Sequence, residues 1–102
     1  MGIEYLIRLS EGNQVTADQV ESILRPLPHY FDKVKYPQDE VFEFRTPATL
    51  SDAERMPDLY VVVDGREVVI CQNGDHLATL QVLGALVAEF VAMQGHVEVV
   101  EP

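Results

Sequence analysis

The stretch DLYVVVDGREVVICQNGDH, Asp58 to His76, decides how this chain is read. Two runs rich in β-branched residues flank Asp64-Gly65, a strong short hairpin signal that favours a type I′ turn. With Asp64 and Gly65 as the two loop residues, Val61 falls opposite Val68 and Leu59 opposite Ile70, so one face of the hairpin is apolar. Tyr60, Val62, Glu67, Val69 and Cys71 fall on the other face. Asn73-Gly74-Asp75 then breaks the strand, and Asp75 is placed to cap a helix and to favour its positive end.

Downstream, that helix is expected from His76 to Gln94, with Gly95 as its C-terminal stop. It is apolar on almost every side. Leu77, Leu80, Leu83, Leu86, Val87, Phe90 and Val91 are assigned to the core, leaving Ala78, Ala85, Ala88 and Ala92 outside with Gln81 and Glu89. The window Leu77 to Met93 is interrupted by those two polar residues and lacks basic flanks, so it reads as a buried helix and not as a membrane span. HVEVVE, from His96, makes a last short strand.

Upstream, Ile3 to Leu9 alternates with Ile3, Tyr5, Ile7 and Leu9 on one side, which is a strand. A helix follows in VTADQVESILRPL: Thr16 caps, Gln19 completes a capping box, Val15 staples onto Val20, and Val20, Ile23, Leu24 and Leu27 form the apolar stripe. Pro26 and Pro28 end it near Arg25 or Leu27. Tyr30 to Tyr36 and Val41 to Arg45 read as a second hairpin turning at PQDE. In TPATLSDAERMP, Ser51 and Glu54 match another capping box within a connector long enough to be a functional candidate.

The order strand, helix, four strands, helix, strand implies an α+β, two-layer sandwich in one domain spanning 1–102: a mixed sheet of five to six strands with both helices on one face. Each strand-helix-strand unit is expected to cross over right-handed. The nearest architectural analogy is a ferredoxin-like layout, and fold alone assigns no function.

Seventeen acidic residues against seven basic give a formal charge of −10. Nucleic-acid affinity comes largely from cations that displace counterions from phosphates, so that partner class is disfavoured. The field instead suits a basic protein partner. A single cysteine, and an N-terminus without a leader pattern, point to the cytoplasm. Histidines 29, 76 and 96 and the one cysteine lack paired metal-ligand spacings, so no metal and no cofactor are expected.

Three functional readings follow. The leading one is a protein-protein interaction module, an inhibitor or immunity-type partner of a basic protein, using an uncovered sheet face. Its aromatic anchors are Phe31, Tyr36 and Tyr60, its apolar contacts Val62 and Val69, and its steering charges Glu43, Glu67 and Glu98. That face is expected to hold Leu6 and Val100 as well, among Glu4, Arg8, Lys33 and Lys35. The second is a small-molecule site or enzyme built on His29, Cys71, Asp75 and His76, which topology brings to one end of the sheet beside a helix N-terminus that favours a thiolate. The third is a homo-oligomer, in the simplest case a homodimer, packed through the alanine face of the second helix.

Overall fold

The structure, a computed structural model, describes residues 3–28, 31–35, 40–45, 56–74 and 76–101. The elements are β1 (Ile3–Leu9), α1 (Ala17–Leu24), β2 (Phe31–Lys35), β3 (Glu40–Phe44), β4 (Leu59–Asp64), β5 (Glu67–Gln72), α2 (His76–Gln94) and β6 (Val97–Val100). This is the expected α+β order. His29, Tyr30, Tyr36, most of the PQDE turn, the Ser51–Glu54 box and the cap at Asp75 lie outside the described residues.

The six strands form one sheet in the order β2-β3-β4-β5-β1-β6. The expected mixed sheet takes a form in which every ladder is antiparallel. The reason lies in the crossovers. β1 is inserted between β5 and β6, so the two strands joined by α2 run the same way without touching, the split arrangement of a ferredoxin-like layout.

Local chemistry explains the helix ends. Thr16 Oγ1 accepts from the Gln19 amide at 3.2 Å, and Gln19 Oε1 accepts from the Thr16 amide at 2.9 Å, which is the expected capping box. Arg25 is the C-cap of α1. Gly95 ends α2 with φ +80°, and its amide donates to the carbonyl of Val91.

The hairpin of the opening stretch differs in register from the expectation. Asp64 pairs with Glu67, Val63 with Val68 and Val61 with Ile70, so the two-residue loop is Gly65-Arg66. Gly65 takes φ +58°, and no described non-glycine residue has positive φ. A positive φ at the first loop residue alone is the pattern of a type II′ turn, in which glycine leads. Asp64 therefore stays extended and pairs, where a type I′ turn would need it in the left-handed region. The shift moves partners by two and keeps every residue on its expected face.

The core lies between the sheet and the helices. Ile7, Leu9, Phe42, Leu59, Val61, Val68 and Ile70 come from the strands, Val20 and Leu24 from α1, and Val82, Leu86 and Phe90 from α2, all buried. α2 is rotated relative to the expectation. Its buried line is Ala78, Thr79, Val82, Leu86 and Phe90, whereas Leu77, Leu80 and Val91 are exposed. Ala78 to Phe90 in steps of four is a continuous ridge, and the small Ala78 lets the helix approach the sheet. Because α2 is apolar all round, hydrophobicity alone does not select the inner face. By length and composition α2 is long and apolar enough to cross a membrane, with mean hydropathy 1.6. In the structure its inner line packs into the core.

Candidate functional site: the uncovered sheet face

Both helices cover one face of the sheet, no described element lies over the other, and the register defines what that second, uncovered face carries. Along β1, β4 and β5, buried residues alternate with half-buried or exposed ones, so Leu6, Val62 and Val69 come off the uncovered side. The ladders align them. Val41 pairs with Val62, Val62 with Val69, Val69 with Leu6, and Leu6 with Val100. The result is one unbroken apolar row across β3, β4, β5, β1 and β6. Its end member Val41 is 5% exposed and lies outside the main core cluster.

Charged residues flank this row on both sides. On one side stand Asp64, Glu67, Arg8 and Glu98, adjacent through the ladders. On the other stand Asp32, Glu43, Tyr60, Cys71 and Glu4. Among the described strand residues of this face, six carboxylates thus meet a single base. Arg8 is engaged within the chain: its Nε lies 3.2 Å from Glu67 and its guanidinium 3.9 Å from Glu98.

Of the residues expected here, Glu43, Tyr60, Val62, Glu67, Val69 and Glu98 lie on this face. Tyr36 lies outside the described residues. Phe31 is a correction: it pairs with Phe44, packs against the helix-side core, and the two rings are 5.6 Å apart. Lys33 shares its phase on β2. The Lys33 ammonium reaches Glu40 at 3.3 Å and Asp18 of α1 at 3.8 Å, and the hydrogen bond to Glu40 holds its pKa above the ordinary lysine value. Edge strand β2 leaves a lysine on the helix side within reach of water, so lysine position does not mark the outer face there. Sequence reading did not assign Val41 to the row. Only the cross-strand register reveals that five separate valines and leucines form one line.

The alternative cluster does not come together in the described part. Cys71 comes off the uncovered face, where its Sγ donates to Glu4 Oε1 at 3.7 Å. His76 starts α2 on the covered side, with Nδ1 3.2 Å from Gln72 Oε1. His29 and Asp75 lie outside the described residues. Burial, followed by the nearby Glu4 carboxylate, pushes the Cys71 thiol up to about 11, the opposite of an activated nucleophile. Among the described residues, no group of three or more His, Cys, Asp or Glu is placed to hold a metal ion.

The Asn73-Gly74 segment has a structural explanation. The amides of Asn73 and Gly74 both donate to the carbonyl of Asp58, and Asn73 Nδ2 donates to the carbonyl of Pro57. A Cβ at Gly74 would lie 2.5 Å from Asp58 Oδ1, so a larger residue there would displace the Asp58 carboxylate. A shallow polar pocket at the opposite end is lined by Arg8, Ser10, Arg66, His96 and Glu98. There Arg66 Nε donates to the carbonyl of Leu9 and Ser10 to that of His96, which ties the β4–β5 turn and β6 to the end of β1.

No protein-family model, curated protein or solved structure matches the chain.

Proposed function

We propose that this chain is a protein-binding module of the cytoplasm whose uncovered sheet face docks a basic partner, in the manner of an inhibitor or immunity-type protein. The carrying observation is the unbroken row Val41, Val62, Val69, Leu6 and Val100 with carboxylates on both flanks. An apolar centre within a charged rim is the anatomy of a specific interface. Tyr60 adds an aromatic anchor beside the row. The rim is nearly all of one sign, so complementarity demands a partner presenting lysines and arginines around an apolar patch. The charge of −10 would also steer such a partner during encounter.

The test is capture from a lysate of the source cell at low and moderate salt, followed by binding kinetics with the captured protein. Two variants accompany the native chain: a triple Glu43→Lys, Glu67→Lys, Glu98→Lys protein and a Val69→Ser protein. The native chain is expected to hold a cationic protein, with association slowed about 10-fold or more by charge reversal and dissociation accelerated by Val69→Ser. Equal binding by all three proteins would remove the sheet face from consideration.

A further inference from the structure

The second apolar surface lies on the opposite side of the molecule. Leu77, Leu80, Gly84, Ala88 and Val91 of α2 are all exposed, with Leu77 at 65%, Leu80 at 46% and Val91 at 42%. At 3.6 residues per turn these positions lie on one face of the helix. We infer that this outer face of α2 pairs, antiparallel, with the same face of a second copy of the chain.

Self-complementarity is the first argument. Counted from Gly84, the five residues stand at offsets of seven and four before and four and seven after. A two-fold axis through Gly84 therefore sets Leu77 against Val91 of the second copy, Leu80 against its Ala88, and Gly84 against Gly84. Large residues meet smaller ones and the contact closes as a dimer, as an isologous interface requires. Gly84 is also near the middle of the helix, so little of either helix overhangs.

Gly84 supplies the second argument. A mid-helix glycine costs about 1 kcal/mol relative to alanine. A Cβ built there meets no described residue within 4 Å, and its φ lies outside the left-handed region, so no contact among the described residues calls for a glycine. Close approach of another helix backbone is what a small residue at such a site permits.

Charge selects the occupant. A protein of −10 repels its own copies wherever carboxylates face each other. Glu89 is the single acidic residue of α2, and it lies about 140° around the helix from Gly84. The outer face of α2 is thus a surface on which two copies meet without opposing carboxylates. A membrane surface fits less well, since interfacial helices carry lysine and arginine on their polar side, α2 has neither, and anionic lipid repels an acidic chain. The strip is about 21 Å long and about 10 Å wide. That is below the roughly 800 Å² per partner of a standard interface, so a weak, rapidly exchanging dimer is expected. It would leave both acidic sheet faces pointing outward, free for the partner proposed above, yet it does not depend on that partner.

Sedimentation velocity of the isolated chain, from about 10 μM to about 1 mM, reads the association range of such an interface. A monomer-dimer shift is expected in the native protein and its loss in Leu80→Glu and, separately, Val91→Glu, each checked for native circular dichroism. In a Cys71→Ser background, Gly84→Cys is expected to form a disulfide-linked dimer on mild oxidation, whereas Glu89→Cys is not. A monomer at every concentration, a dimer indifferent to both glutamates, or equal cross-linking at both cysteine positions would overturn the inference. So would binding to zwitterionic or anionic vesicles without self-association.

Discussion

Val68 and Val69 are neighbours in β5 with the same side chain, and they come off opposite faces of the sheet. Val68 is fully buried beneath the helices, whereas Val69 is half-buried in the apolar row of the uncovered face. The two faces have similar β-branched chemistry and differ in what lies over them. On the covered face, helices complete the enclosure and the valines become core. On the other face Leu6, Val62, Val69 and Val100 stop at partial burial, flanked by carboxylates. The comparison teaches that an apolar row is a core or a docking strip according to its cover, and cover is a property of topology.

The sharpest test of that difference is the pair Val68→Ala and Val69→Ala, one chemical change at adjacent residues. Val68→Ala removes two fully buried methyl groups and leaves a cavity, for an expected loss of about 2–3 kcal/mol. Val69→Ala is expected to cost about 1 kcal/mol or less, because its surface is only partly removed from water. Urea unfolding of both variants, compared at constant slope, measures the gap. Equal losses would break the comparison and mean that the second face is also covered in solution.

Much of this architecture was legible in the sequence because its signals are local. The capping box at Thr16 and Gln19, the span of α2 and the strand alternation of β1, β4 and β5 each depend on residues a few positions apart. The hairpin was legible in kind but not in register, since Asp64-Gly65 supports a type I′ turn while the pairing of Asp64 with Glu67 selects Gly65 as first loop residue. Phe31 was misplaced because β2 alternates Phe, Asp, Lys, Val, Lys without a clear polar side, and its phase is set by pairing with β3. The rotation of α2 was hidden for a related reason: leucines and valines surround the helix, and only contact with the sheet and α1 chooses among them. The apolar row was the least visible feature, because it exists between strands and within none.

Cys71 reports on the uncovered face from inside it. Its thiol, raised to about 11 from an ordinary 9.0 by burial first and by Glu4 second, binds its proton more tightly in the folded chain than in the unfolded one. The neutral thiol's contribution to stability is therefore complete below about pH 9 and is lost as pH rises through about 11. Alkylation by iodoacetamide across this range should follow a midpoint near 11 in the folded protein and near 9 under denaturing conditions. Glu4→Gln should lower the folded midpoint only part of the way, since burial is the larger cause. A folded midpoint at the ordinary value would mean that this flank of the face is wetter than the structure has it.

The smallest stability change, and the most informative about recognition, is expected at Arg8. Its contacts with Glu67 and Glu98 are partly exposed ion pairs, so Arg8→Gln should change stability by no more than about 1 kcal/mol. Its electrical effect is larger in proportion, because among the described strand residues of this face it is the single base beside six carboxylates. If Arg8 serves only to hold the rim carboxylates in place, the variant should associate with a cationic partner a few-fold faster at low salt. The advantage should fade near 0.1 M, where the screening length falls to about 10 Å. If instead Arg8 leaves its carboxylates to contact the partner directly, association should still quicken while dissociation accelerates, because a contact made only in the complex has been lost. Measuring both rate constants at two salt concentrations separates a residue that shapes the field of the face from one that belongs to the contact itself.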